Sequence, residues 1–302
     1  METKTKPFMP LICLILILLL GSCGAALRNS AEQPEKEEGA GPGPAEAAAN
    51  EGRETQEAAP QPVHPAFSIG EEALAGLLDE LPEEAQAAIK KRPQYFLELV
   101  DQVLQLPRHL TVLVDKNHSL PEEYEPERLA ALDGYPLVLN NSGLSLHAGL
   151  MPDLLAMNEA AAADGVRLVI SSSYRSYDYQ KGLYERFVVI HGKEEADRFS
   201  ARPGTSQHQL GTAIDFGSIT EKIAETGQGR WLAARAWEFG FSLSYPKNGE
   251  ELTGYMWEPW HFRYISRTAA RLQREFFADS QQHMLEFLHA RRGYFEAARS
   301  TM

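Results

Sequence analysis

Two stretches hold residues whose types and spacing suit metal chemistry. In "SQHQLGTAIDF" (Ser206–Phe216), His208 and Asp215 lie seven positions apart, separated by Gly211 and a short apolar run. Strand alternation in "GTAIDF" puts Ala213 and Asp215 on one face and Ile214 on the other. Gly211 permits a tight turn that folds His208 back beside the aspartate. Taken alone, the pair is equally a turn histidine and a capping aspartate. The second stretch, "WEPWHFRY", adds Glu258 and His261 in an aromatic setting. A catalytic zinc takes three protein ligands and leaves one position open. His208, Asp215 and His261 would supply the three, which leaves Glu258 as a carboxylate near the open position. Pro259 argues against a regular helix here, so an entry turn feeding the strand "HFRYI" is expected. Trp257 and Trp260 are candidates to wall the site, or are simply core.

A third stretch, "SSSYRSYDYQ", follows a β-branched strand and opens a helix. It offers Arg175 for a substrate carboxylate or a developing oxyanion. Gln180 lies one turn further on. A surface salt bridge is the plain alternative for Arg175. The chain has two cysteines, Cys13 and Cys23, both near the N-terminus. That count excludes a thiolate zinc site and a cysteine nucleophile in the remainder, so a metal must use histidine and carboxylate.

The elements that must position these residues are few and short. From Ile69 to Leu106, apolar residues at three-to-four spacing, broken by Pro82 and Pro93, predict two or three short helices. "LTVLV" (110–114) and "YPLVLN" (135–140) read as strands, and the proline-punctuated stretch 115–132 between them as a loop. "LMPDLLAMNEAAAADG" is a helix closed by Gly165. Then come the strand "VRLVISSS", a helix from about Ser176 to Gly192, and the strand "GTAIDF". The helix "RWLAARAWEFGF", the strand "HFRYI" and a helical pattern over about 267–298 follow. Interspersed short elements predict an α+β fold rather than a long parallel sheet.

The N-terminus carries a different message. Lys4 and Lys6 precede about 13 apolar residues, against the ~20 needed to span a bilayer, which is the pattern of a signal-peptide core. The run ends in "LLGSC", which resembles a bacterial lipobox with Cys23 as the lipid acceptor. Residues 24–66 are rich in Ala, Glu, Pro and Gly with almost no large apolar side chain, as expected of a flexible tether. A net charge of −13 argues against a nucleic-acid partner. The domain reading is therefore a signal peptide (1–22), a tether (23–66), an N-terminal helical segment (67–106) and a main domain (107–302). An exported lipoprotein anchored to a membrane is the expected location.

Together "SSYRSYDYQ", "SQHQLGTAIDF" and "EPWHFRY" resemble the zinc D-alanyl-D-alanine carboxypeptidases of the VanY type. The shared pattern is S-x-H-x-x-G-x-A-x-D followed by E-x-W-H, preceded by Y-R-S and a glutamine. "LTVLVDKNHSLPEEYEPERLAAL" is similar to that family's N-terminal segment, with Asp115 where asparagine is usual. The resemblance implies a small, mostly antiparallel sheet flanked by helices, with the zinc site on the sheet. It implies one zinc per chain held by His208, Asp215 and His261, with Glu258 as general base and acid. It implies that Arg175 acts in catalysis and that Ser206, Gln180 and Tyr174 bind substrate. The implied substrate is the D-alanine-terminated stem peptide of peptidoglycan, with D,D-cleavage favoured over L,D-cleavage. Two other readings stay open: a metallo-endopeptidase that cuts inside a cross-link, and a non-catalytic peptidoglycan-binding lipoprotein.

Overall fold

A computed structural model of the 302-residue chain describes residues 61–300. The expected signal peptide, Cys23 and the expected tether up to residue 60 lie outside the described residues. The last residues of the predicted tether are engaged with the fold: Val63 N–H donates to the Ile69 carbonyl at 2.8 Å and Ser300 N–H to the Ala66 carbonyl at 2.9 Å.

Three short helices come first: α1 (Glu71–Leu77), α2 (Glu83–Lys91) and α3 (Pro93–Leu104). Pro93 begins α3, where its missing N–H costs nothing. The helix then buries Phe96, Leu97, Val100, Val103 and Leu104 at helical spacing. Strands β1 (Leu129–Ala131), β2 (Val138–Leu139) and β3 (Ser145–His147) precede α4 (Met151–Ala163) and β4 (Val169–Ser172). The chain leaves α4 through Gly165 at φ +75°, as its sequence suggests. Helices α5 (Tyr177–His191) and α6 (Lys193–Phe199) follow, then β5 (Ala213–Phe216), α7 (Gly227–Arg235) and β6 (Phe241–Leu243). The short α8 (Glu250–Thr253), β7 (His261–Tyr264), α9 (Arg267–Phe276) and α10 (Gln281–Ala298) complete the described chain.

The main sheet has the order β2-β4-β5-β7-β6, with β2 and β4 parallel and every other pair antiparallel. This is the α+β architecture the sequence predicts. Its two faces differ in chemistry. Opposed residues in an antiparallel pair share a face, and Ile214 pairs with Phe262 while Asp215 pairs with His261 and Ala213 with Arg263. One face therefore carries Ile214, Phe216, Phe241, Phe262 and Tyr264, which pack with Leu154 and Met157 of α4 and Leu232 of α7. The other face presents Asp215, His261, Arg263 and Ser242, all buried. A second apolar core lies elsewhere: α1, α2 and α3 pack with α9 and α10, and Phe96 meets Phe276 edge-on at 5.3 Å. Truncating Phe96 to alanine would cost about 3–5 kcal/mol.

The predicted strand at 110–114 does not form. A 3-10 turn, Arg108–Leu110, leads into irregular backbone. The reason is Arg263, which is 0% exposed. Its Nη2 reaches the carbonyls of His109 and Leu110 at 3.3 Å and of Val112 at 2.8 Å. A buried guanidinium draws acceptors to itself, and these carbonyls turn to Nη2 instead of joining a ladder, while Nε and Nη1 have no hydrogen-bond partner. The C-terminal helical run is likewise two helices, broken where Ala278 and Asp279 take φ values of 48° and 58°.

Candidate active site

His208 sits on a 3-10 turn, Gln207–Leu210, whose start is capped by the Ser206 hydroxyl accepting the His208 N–H at 3.3 Å. The turn closes on Gly211 at φ +68°, where a Cβ would also come within 3.0 Å of Pro126. The left-handed exit reverses the chain into β5 and brings Asp215 back under the histidine. His261 starts β7 opposite Asp215. It is reached through a turn at Pro259 in which the His261 N–H donates to the Glu258 carbonyl at 3.0 Å. The helix-breaking reading of Pro259 is correct.

The hydrogen bonds fix which nitrogens are free. His208 Nδ1 lies 2.7 Å from the Ser173 carbonyl, which only accepts, so the proton sits on Nδ1. His208 Nε2 is then bare, buried and without a hydrogen-bond partner, 3.3 Å from Asp215 Oδ2. His261 Nε2 faces Gln207 Oε1 at 3.2 Å, and its Nδ1 lies 3.1 Å from Asp215 Oδ1. With the proton on Nε2, a second lone pair confronts the same carboxylate. Facing acceptors repel unless a cation lies between them. The three ligand atoms lie within 4.8 Å of one another, and all three residues are buried. Two imidazoles, one carboxylate and no thiolate fit a catalytic zinc ion.

Electrostatics agree. Burial, then the positive charge of Arg175, lowers His208 to about 4, which keeps the imidazole neutral and able to bind a metal. Burial works to raise Asp215, but the two imidazoles that face it, His208 and His261, outweigh it and hold the carboxyl well below its usual range. Glu258 behaves in the opposite way. It is 7% exposed, and burial, reinforced by the Asp215 charge and opposed by Arg175, pushes it well above the usual carboxylate range. Its Oε2 lies 3.6 Å from His261 Nδ1.

These groups open onto a cavity of about 660 Å³ that Ser206, His208, Asp215, Glu258, His261 and Arg175 help to line. Arg175 donates to Gln180 Oε1 at 2.9 Å and to Asp215 Oδ2 at 3.2 Å. It is the one lysine or arginine among the described residues that line the cavity. Gln180 and Tyr174 do not line it. Gln180 is fully buried, with its amide spent on Arg175 and on the Ala201 carbonyl, so it reaches the cavity only through Arg175. The Tyr174 phenol is raised by burial and by the nearby Glu125 and Tyr124. Trp260 does line the cavity, whereas Trp257 lies under Lys247, whose Nζ is 5.1 Å from its ring centre.

Sequence reasoning missed three contributions. The Ser173 carbonyl and the Gln207 side chain set the imidazole tautomers. Tyr245 lies 4.8 Å ring to ring from His261. Leu183, Phe187 and Phe199 give the cavity an apolar wall from α5 and α6. The adjacency of Gln207 to His208 was a usable signal, while a backbone carbonyl leaves none.

A buried two-histidine, one-carboxylate set lining a cavity fits a metallohydrolase of the α+β class. Residues 143–267 match the family model of VanY, D-alanyl-D-alanine carboxypeptidase. A putative carboxypeptidase, YodJ, of Bacillus subtilis (strain 168) is 35% identical over 192 residues, covering 59% of this chain and 70% of that protein. A D-alanyl-D-alanine carboxypeptidase of Enterococcus faecalis is 33% identical over 170 residues, covering 53% of this chain and 59% of the relative. Among solved structures, the LdcB LD-carboxypeptidase superposes with a TM-score of 0.55 at 32% identity, covering 60% of this chain and 88% of that one. A mutant of the D,D-pentapeptidase VanY from a VanB-type resistance cassette, in complex with Zn(II), gives 0.50 at 30%, covering 59% and 99%. The chain belongs to the VanY D-alanyl-D-alanine carboxypeptidase family.

Proposed function

We propose that the protein is a zinc-dependent carboxypeptidase that removes the C-terminal D-alanine from peptidoglycan stem peptides. The observation that carries this reading is the convergence of two imidazole lone pairs and one carboxylate beside Glu258. His208, Asp215 and His261 hold the metal. Zinc in this set supplies Lewis-acid polarisation and acidifies water.

Glu258 takes the proton of the attacking water on its carboxylate and returns it to the leaving amine. Its environment suits both halves of that task. Burial favours the protonated form that donates, and a neighbouring dication favours the ionised form that accepts. Arg175 binds the substrate carboxylate or the developing oxyanion, held in place by Gln180. Ser206 contributes from the cavity wall. Leu183, Phe187 and Phe199 give substrate an apolar wall to lie against.

The protein is exported and tethered to a membrane through lipidated Cys23, with the acidic, alanine-rich linker spacing the enzyme from the surface. D,D-cleavage of pentapeptides is the favoured activity, with L,D-cleavage of tetrapeptides as the second. Purified protein incubated with tetra- and pentapeptide muropeptides and with cross-linked dimers, followed by mass, tests this. Loss of one alanine from the pentapeptide supports the D,D reading, and loss from the tetrapeptide the L,D reading. Cleavage of cross-linked dimers alone would make it an endopeptidase, and no cleavage of any of them would leave a binding protein.

A further inference from the structure

One chain of buried polar side chains ends on His261 and begins on the C-terminal helix. Gln281 opens α10, and its Nε2 donates to the Ser242 carbonyl at 3.3 Å. A carbonyl only accepts, so the amide has one orientation: Oε1 turns the other way. There it accepts from Gln207 Nε2 at 3.3 Å, with the Ser244 hydroxyl 3.2 Å away. Gln207 is oriented in turn. Its Oε1 faces His261 Nε2 at 3.2 Å and accepts from Ser244 Oγ at 2.7 Å. Gln207, Ser242, Ser244, His261 and Gln281 are each no more than 3% exposed, so water does not compete for these bonds.

The start of α10 is itself held. Ala278 and Asp279 occupy the left-handed region, which residues with a Cβ rarely adopt. Gln273 Nε2 donates to the Asp279 carbonyl at 2.8 Å and Arg274 pairs with its carboxylate at 3.1 Å, fixing this turn. The next residue, Gln282, donates to Asp115 Oδ2 at 2.9 Å. Strain accepted at the turn places two glutamines against the polar side of the sheet.

We infer that Gln281 and Gln207 are positioning residues forming a relay that holds the His261 proton on Nε2 and so aims Nδ1 at the metal. Gln281 lies beyond residues 143–267, the segment the family model matches, so α10 completes a site that segment does not contain. The inference rests on the reading of His261 as a zinc ligand. Residues that orient a metal-binding histidine typically change metal affinity 10–100-fold when removed.

The test uses zinc affinity, measured by competition with a chelator, and the thermal midpoint of the zinc-free protein. Gln281→Met keeps the size of the side chain and removes its polar ends. It should weaken zinc binding by about 10-fold or more. Gln207→Met removes the acceptor and changes no residue of α10, so it reads the relay even if the first variant fails to fold; it should weaken zinc similarly. The double variant Gln281→Met with Gln207→Glu should recover zinc affinity, because a carboxylate accepts from His261 in either orientation and needs no partner to turn it. The zinc-free midpoint should stay low in that double variant. Wild-type affinity in Gln207→Met, or in a folded Gln281→Met, overturns the relay, as does a double variant with no recovery. Wild-type protein that binds no zinc overturns the metal reading itself.

Discussion

Glu258 Oε2 stands 3.6 Å from His261 Nδ1, brought there by a proline turn rather than by a helix. A carboxylate this close to a proposed metal ligand, held above its usual range by burial and by Asp215, is placed to exchange a proton without being needed as a ligand. Glu258→Gln keeps the volume and removes the proton acceptor. D-alanine release should fall by ~100-fold or more, as for loss of a positioned acid-base group. Zinc content should stay near wild type, and KM should change much less than kcat. Unchanged turnover would assign water activation to another group. Loss of zinc would make Glu258 a ligand or the support of one.

His208→Ala and His261→Ala each remove one of two imidazole nitrogens facing Asp215. Each should reduce zinc from about one per chain to a small fraction, since a catalytic site has three protein ligands. Elemental analysis of the purified variants checks this. Full zinc in both would remove these residues from the metal site.

Cys23→Ala tests the anchor expected from "LLGSC". The variant should move from the membrane fraction to a soluble exported form if a lipid on Cys23 supplies the membrane affinity. Wild-type fractionation of the variant would point to a different anchor.

A pH dependence follows from His109 and His147, whose rings lie 4.4 Å apart. Burial, then the charges of His147 and Arg263, hold His109 below its ordinary value of 6.5, with Glu127 opposing. The unfolded chain therefore binds this proton more readily than the folded one. The stability contributed by neutral His109 is present in full above about pH 6.5 and is lost as pH falls below it, towards the folded value. The thermal midpoint of zinc-loaded protein should fall between pH 6.5 and 5, and His109→Gln should flatten part of that slope. Parallel slopes in wild type and variant would show that His109 does not contribute.

Much of the candidate site was legible because its proposed ligands sit at spacings with a local cause. Gly211 between His208 and Asp215 marks a reversal, and the alternation of "GTAIDF" puts Asp215 opposite Ile214. Pro259 announces a turn before His261. The strand misread at 110–114 shows where such reasoning stops. Its apolar residues suit a ladder, but the deciding partner, Arg263, lies about 150 positions away, and a buried guanidinium outranks β-propensity. Gln180 and Tyr174 show the same limit. Their place beside Arg175 in sequence says nothing of which side chains face the cavity.

Sequence alone determined most of the elements, the three donor types and the carboxylate beside them, because periodicity, glycine and proline act over a few residues. Only the tertiary structure decided which imidazole nitrogen is bare, that Asp215 is shared by both histidines, and that α10 reaches His261 through Gln281 and Gln207. Those facts depend on the register of β5 with β7 and on hydrogen-bond partners as distant as Ser173 and Gln281. A buried polar group takes whatever partner the packing brings to it, and that partner's place in the chain leaves no local trace.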